Sequence, residues 1–254
     1  MKNLRERLAV SPCSNPELDL DSVLAAYSEI GFGKFEAFTS WCKSAFDVGR
    51  DPGFYLRMGR KHGMTFSSLH LPPVEGPAPE QLAAAVHAAR FAAALGVRVV
   101  LFKAKSRPAY VQAARPFLDA IQGLPVTPVL QNHKGTPITT LEDFREVLAG
   151  IADPRMKALL EVGHFHSVGV SWRAGWELLK DRLALVHLKD QVGAQSVPFG
   201  SGEIDLTALL RHLDATGYAG DIVVEMETSD RENRIRYLRE AFAYLLARGE
   251  EATR

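Results

Sequence analysis

Four β-type apolar runs in this chain end on side chains that can hold a metal ion or move a proton. Leu183-Ala-Leu-Val-His-Leu-Lys-Asp190 delivers His187, then Lys189 and Asp190. Val126 to Leu130 stops at Gln131-Asn132-His133, Met156 to Leu160 stops at Glu161 with His164 and His166 just beyond, and Ile222 to Val224 stops at Glu225. Side chains carried to one end of a parallel sheet can converge on one ion. Gln131, Glu161, His187 and Glu225 would offer nitrogen and oxygen without thiolate, a donor set suited to Mn²⁺, Mg²⁺, Co²⁺ or Zn²⁺. Such an ion would clamp a hydroxyl and a neighbouring carbonyl of a polyol. It would make the adjacent C–H acidic and stabilise the enediolate left when a carboxylate removes the proton.

Each residue also has a plainer reading. A lone histidine in a buried strand is more often a hydrogen-bonded core residue than a ligand, and Gln131 can coordinate through its oxygen but exchanges no proton near neutral pH. The company of the other strand ends favours a site for Glu161, His187 and Glu225. Glu36 in the second strand, His70 at the end of the third and Lys189 are expected to touch substrate. His133 and His164 are the candidate acids. His62, His87 and His212 fall within or at the ends of helices and are expected to face solvent.

These residues need a scaffold that repeats strand and helix. Apolar runs at Arg7 to Ser11, Phe35 to Phe38, Met64 to His70, Val97 to Phe102, Val126 to Leu130, Met156 to Val162, Leu183 to Leu188 and Gly220 to Glu225 read as strands. Between and after them, helical spacing spans Leu18 to Ile30, Pro52 to His62, Pro79 to Leu95, Tyr110 to Ile121, Thr140 to Ala149, Trp172 to Lys180, Leu206 to Thr216 and Asn233 to Ala247. Thr140 reads as an N-cap with Asp143 at the third helical position. Eight units in 254 residues predict a (β/α)8 TIM barrel occupying residues 1–254 as a single domain. A doubly wound sheet would usually carry a glycine-rich loop after its first strand, whereas Pro-Cys-Ser-Asn-Pro follows Ser11.

Thirty basic residues balance thirty acidic ones, so no long-range field gathers nucleic acid or an anionic membrane. A hydrophobic fraction of 46% fits an ordinary globular chain too interrupted by charge for a membrane span. Cys13 and Cys42 are too few for a disulfide framework, and no charged-then-apolar leader precedes them. A cytoplasmic enzyme of carbohydrate metabolism with a small-molecule sugar or polyol substrate is the expectation, with a homodimer left open.

Six segments carry a resemblance to the sugar phosphate isomerase/epimerase family of xylose isomerase-like TIM barrels, which includes inosose isomerase, hydroxypyruvate isomerase and ketose 3-epimerases. They are Ser68-Leu69-His70-Leu71-Pro72, Leu130-Gln131-Asn132-His133, Leu160-Glu161-Val162-Gly163-His164, Val186-His187-Leu188-Lys189-Asp190, Phe199-Gly200-Ser201-Gly202-Glu203-Ile204-Asp205 and Val224-Glu225. The resemblance covers nearly the whole chain. It implies a divalent metal held at positions 131, 161, 187 and 225, where the family carries Glu, Asp, His and Glu. This chain keeps His187 and Glu225, lengthens the second ligand to Glu161, and replaces the first by the neutral Gln131.

The family's epimerases are thought to use the first and last glutamates on opposite faces of the substrate carbon, so the loss at 131 argues against two-base inversion. Three readings follow. The first is a metal-dependent isomerase or epimerase-like enzyme with Glu225 as its single base. The second is a lyase or dehydratase on similar chemistry, with His133 or His164 as acid. The third is a carbohydrate-binding barrel without catalysis. The endonuclease branch of the superfamily needs an Asp-x-His pair after the seventh strand, and residues 190–202 contain no histidine. With one anionic ligand replaced by an amide, the metal is expected to bind weakly.

Overall fold

In the computed structural model, which describes residues 3–251, eight parallel strands close into a barrel in chain order. They are β1 (Leu8–Val10), β2 (Lys34–Phe38), β3 (Thr65–His70), β4 (Val99–Leu101), β5 (Thr127–Gln131), β6 (Lys157–Glu161), β7 (Leu183–Leu188) and β10 (Ile222–Val224). A small antiparallel hairpin, β8 (Gln191–Val192) and β9 (Gln195–Ser196), is inserted after the seventh strand. Closure is complete because β1 pairs with both β10 and β2, which leaves the barrel no edge. The expected TIM barrel is therefore the observed fold.

The outer ring consists of α2 (Leu20–Ile30), α3 (Pro52–Lys61), α4 (Pro79–Ala94), α5 (Arg107–Ala120), α6 (Leu141–Ile151), α8 (Trp172–Leu179), α9 (Leu206–Ala215) and α10 (Arg234–Glu251). Their starts follow capping chemistry. Asp19 accepts from the Ser22 amide, Asp205 accepts from Ala208, and Thr140 and Asp143 form the expected reciprocal box. No helix among the described residues is long and apolar enough to cross a membrane.

Several boundaries differ from expectation for local reasons. The first strand starts at Leu8 because Leu4–Arg7 forms a helical turn, α1. The sixth strand stops at Glu161 because that residue caps a further short helix, α7 (Val162–His166). The fourth outer helix, α5, begins at Arg107 rather than Tyr110, since Ser106 accepts from the Ala109 amide as its N-cap.

Strand alternation divides the core. Outward-facing residues such as Val10, Leu130, Leu160, Val186 and Val224 join the helices in one large cluster. Ala9, Leu101, Val129, Leu159, Leu185 and Val223 form a second cluster that plugs the barrel interior. Because side chains alternate, the residue two positions after each interior residue faces the same lumen, one layer higher. That step takes Val129 to Gln131, Leu159 to Glu161, Leu185 to His187 and Val223 to Glu225. It also takes Leu101 to Lys103.

The three helix-associated histidines are less uniform than expected. His87 is exposed, with Nε2 2.9 Å from the Val48 carbonyl. The other two require a correction. The His62 side chain is only 12% exposed and lies 2.6 Å from Asp21, while His212 is half-buried against the rings of Trp172 and Trp176. An imidazole has enough apolar ring surface to pack at a helix boundary while one nitrogen reaches a polar neighbour.

Candidate active site

The carboxyl ends of the strands surround a cavity of about 290 Å³. Glu225, Gln131, His70, His133 and His164 open onto it, together with Lys103, Glu227, Cys13, Phe38 and Trp41. His187 and Glu161 form its buried floor, each with 0% exposure. His187 Nδ1 lies 3.2 Å from Glu225 Oε1 and 3.3 Å from Glu161 Oε2, while Nε2 lies 3.0 Å from Glu36 Oε1. The ring is thus held between three carboxylates. Gln131 ends β5 beside the β6 strand that ends in Glu161, at the same end of the barrel.

Local folding aims these groups. Glu161 uses one oxygen to accept from the Gly163 amide at 2.9 Å, starting α7 and leaving Oε2 toward His187. Asn132 clamps the same strand end. Its side chain donates to the Glu161 carbonyl at 2.8 Å and accepts from the Glu161 amide at 3.0 Å. Gly163 is needed because a Cβ there would meet the Lys189 side chain at 2.7 Å. Asp190 accepts from the amides of Gly200 and Gly202 at 2.8 and 3.0 Å, so it folds the Phe199–Gly202 loop.

Glu36, expected to touch substrate, lies below the cavity wall with 0% exposure. Its Oε1 accepts from Ser68 Oγ at 2.8 Å and approaches His187, while Oε2 lies 3.2 Å from His70 Nε2. Its contacts position the two histidines. His70 does reach the cavity, with its ring stacked on Phe38 at 3.7 Å between centroids. Lys189 is buried rather than lining the cavity, with Nζ 2.6 Å from Glu227 and 3.4 Å from Glu225. The His133 and His164 rings lie 3.8 Å apart between centroids, tilted by 40°, whereas His166 turns away to Glu203 at 3.0 Å.

Charge is partitioned within this cluster. Burial opposes ionisation of Glu225, but Lys189 and His187 outweigh it and hold its carboxyl well below the usual range. Burial and the neighbouring Glu225 charge raise Glu161 instead. Burial alone would lower His187, yet Glu36 and Glu225 raise it well above the ordinary histidine value. His164 is lowered to about 2 by burial and by the charges of Lys189 and His133. His70 is lowered to about 4, mainly by burial.

The residues fit a divalent cation on two grounds. Glu36, His187 and Glu225 each offer a ligand atom within 4.8 Å of the others. Both His187 ring nitrogens, Glu161 Oε2 and Glu36 Oε2 are buried polar atoms without a hydrogen-bond partner among the described residues. Buried polar atoms are ordinarily satisfied, and convergent carboxylate and imidazole lone pairs are what an ion would satisfy. Binding at His187 requires loss of its proton, so metal affinity should fall as pH falls.

The neutral histidines give a stability prediction. Unfolded histidine titrates near about 6.5, whereas His70 and His164 stay neutral in the fold to about 4 and about 2. Between pH 6.5 and 5 the unfolded chain binds protons that the folded one refuses, so stability falls as pH drops. The slope is about 1.4 kcal/mol per pH unit for each such histidine. His187 has a raised value, so its contribution is fully present below about 6.5 and is lost only as pH rises through its folded value. It does not offset the loss in this window. Urea denaturation of metal-free protein at both pH values should show the fall; equal stability would mean that the fold accepts those protons.

Lys103 and Glu227 were not among the residues singled out in the sequence. Both were accessible to period-two reasoning, Lys103 from Val99 and Leu101, and Glu227 from Val223 and Glu225. Their position just beyond the regular strands hid them. Trp41 lies in a loop, 58% exposed with a left-handed φ of 61°, and no spacing rule reaches it.

Known proteins share this fold. Over 159 residues the chain is 31% identical to the inosose dehydratase of Erwinia tasmaniensis, covering 54% of this chain and 52% of that protein. Over 110 residues it is 31% identical to SgbU of Escherichia coli K12, named as a candidate L-ribulose-5-phosphate 3-epimerase, covering 40% of this chain and 38% of that one. The matches thus span about half or less of those relatives' lengths. Among solved structures, the IOLI protein with a bound zinc atom superposes with a TM-score of 0.72 at 16% identity, over 97% of this chain and 96% of that one. Residues 24–248 match a family described as xylose isomerase-like TIM barrel, and the chain belongs to that family.

Proposed function

We propose that this chain is a divalent-metal-dependent isomerase of a ketose, keto-sugar or inosose-like polyol, moving a proton between adjacent carbons with Glu225 as the single base. The observation that carries the reading is the placement of Glu225. It is the carboxylate that both approaches His187 and opens onto the cavity, whereas Glu36 and Glu161 are fully buried and Gln131 is neutral. His187, Glu161 and Glu225 would hold the ion with Gln131 completing the set, and the bound ion would supply Lewis acidity toward the substrate oxygens. Glu225, kept ionised by Lys189 and His187, takes the proton and returns it on the same face. Phe38 and Trp41, packed edge to face, line that side of the cavity. We place the protein in the cytoplasm, acting on a small molecule.

A dehydratase is the second reading, favoured by the His133–His164 pair on the same cavity and by the similarity to an inosose dehydratase. It ranks second because elimination of a hydroxyl calls for an acid, and burial lowers both histidines toward the neutral form. The test is incubation of Mn²⁺-loaded and chelator-treated protein with ketoses and inososes in deuterated water. Deuterium in an isomeric product, lost on chelation and restored by Mn²⁺, is expected. Loss of a hydroxyl from the product would select the dehydratase, and binding without turnover would select a carbohydrate-binding barrel.

Gln131 makes a separate prediction. Restoring a carboxylate by Gln131→Glu adds an anionic ligand for the same desolvation of the ion, and should tighten Mn²⁺ binding about tenfold or more. Calorimetric titration of both proteins measures it; equal or weaker binding would put Gln131 outside the ligand set.

A further inference from the structure

The amino-terminal end of the barrel, opposite the end that carries Glu225, holds a polar cavity of its own. Its volume is about 460 Å³, within the range of small-molecule sites. The alternation that lifts Glu225 above Val223 also works downward, because the side chain two positions before an interior residue faces the same lumen one layer lower. That step takes Ala9 to Arg7, Glu36 to Lys34, Leu101 to Val99 and Val223 to Asp221, and all four line the cavity. Barrel layers are ordinarily filled by bulky branched side chains. Here three of the four positions are charged, and the small residues Ser67 and Ala184 stand on the wall beside them.

The charges there are unevenly satisfied. Lys34 is engaged by Asp221. Arg7 is half-buried and donates through Nε and Nη2 to the Gly220 carbonyl at 3.0 and 2.8 Å, a neutral partner. Among the described residues neither Arg7 nor Arg98, which is exposed on the rim, has a carboxylate within ion-pair distance, and Glu6 on the same wall pairs with neither. A partly buried guanidinium without a counter-charge is costly unless a ligand supplies the anion. Ser67, only 5% exposed, adds a donor. It is the extra residue of a β-bulge, skipped between the pairs Phe35–Phe66 and Glu36–Ser68. Its hydroxyl lies 3.4 Å from the Phe35 carbonyl and 3.3 Å from Ser68 Oγ, longer than the roughly 3.0 Å that usually bounds an O–H···O bond. A bulge re-aims a side chain, and this one brings a buried, weakly satisfied hydroxyl to the cavity.

We propose that the amino-terminal mouth of the barrel is a second binding site, which takes a small oxyanion, a phosphate monoester or a carboxylate, between the guanidinium groups of Arg7 and Arg98 with the Ser67 hydroxyl donating to it. Planar guanidinium forks match both kinds of anion. The interior plug of Ala9, Leu101, Val129, Leu159, Leu185 and Val223 separates this cavity from the one at the carboxyl end, so the site does not depend on the reaction there. Arg7 precedes β1 and Arg98 precedes β4, strands that are not neighbours in the barrel. An anion shared between them clamps the mouth, and a ligand bound by the folded chain alone raises its melting temperature.

The experiment is calorimetric titration and thermal melting of the chelator-treated chain with inorganic phosphate and with succinate, at matched ionic strength, on the parent, Arg7→Gln, Arg98→Gln and Glu6→Gln. At least one of the two anions should bind the parent and raise its Tm. Each arginine variant should weaken that binding about tenfold or more, the worth of a charge-assisted hydrogen bond, and Glu6→Gln, which removes an acid from the wall, should tighten it. Tighter binding of phosphate selects a phosphate monoester, and tighter binding of succinate a carboxylate. Arg98 and Glu6 are exposed, so their variants decide the question even where loss of the Arg7 bonds to Gly220 unfolds the chain. No binding of either anion in the millimolar range, or binding that Arg98→Gln or Glu6→Gln leaves unchanged, would overturn the site.

Discussion

Glu225→Gln should lower kcat by about 10²–10⁴-fold at saturating Mn²⁺, the usual contribution of a positioned general base. The fold should survive, because Lys189 keeps Glu227 at 2.6 Å when Glu225 loses its charge. Metal affinity will fall as well, so the effect must be read with the ion in excess, confirmed by titration of the variant. A carboxylate held well below its usual range is a weak base, and the reaction therefore depends on the substrate C–H being acidified at the same moment. Chelation and Glu225→Gln should consequently abolish turnover alike. In deuterated water the parent should place label on one face of the carbon that receives the proton. Near-parental turnover in the variant, or label on both faces without further exchange, would transfer the base role to His133 or His164, which share the cavity.

The barrel and the ring of strand-end residues were legible because both follow from period. Apolar runs alternating with helical spacing fix eight strands and their helices, and a polar side chain two steps after an interior residue must enter the lumen above it. Gln131, Glu161, His187 and Glu225 obey that rule. Glu36 obeys it too, but the sequence does not tell how deep it sits. Depth depends on strand stagger, and β2 carries a register shift between Phe35 and Glu36 that no local pattern predicts. The burial of Lys189 was hidden for a different reason. It depends on Gly163 leaving room on α7 and on Glu227 arriving from the loop after β10, both contacts between segments distant in sequence. The short helix that lifts His164 to the cavity is likewise started by the Glu161 side chain, so a residue read as a ligand is also a cap.

Glu36 provides the second large effect, because its buried position separates two roles that would look alike in a simple activity assay. If it orients His187 and His70 from beneath, Glu36→Gln should weaken Mn²⁺ binding by about 10–100-fold, as the loss of a group behind a metal-ligating histidine does. The amide still reaches Ser68, which lies 2.8 Å from the native carboxylate, so the packing is preserved while the charge is lost. Without that charge the pKa of His187, which Glu36 helps to raise against burial, should fall, and NMR titration of the imidazole in metal-free protein would record it. At saturating Mn²⁺ the variant should lose kcat with little change in KM, since Glu36 does not line the cavity. A raised KM with unchanged kcat, unchanged metal affinity and an unmoved His187 would instead assign Glu36 to the substrate, as its place in the second strand first suggested.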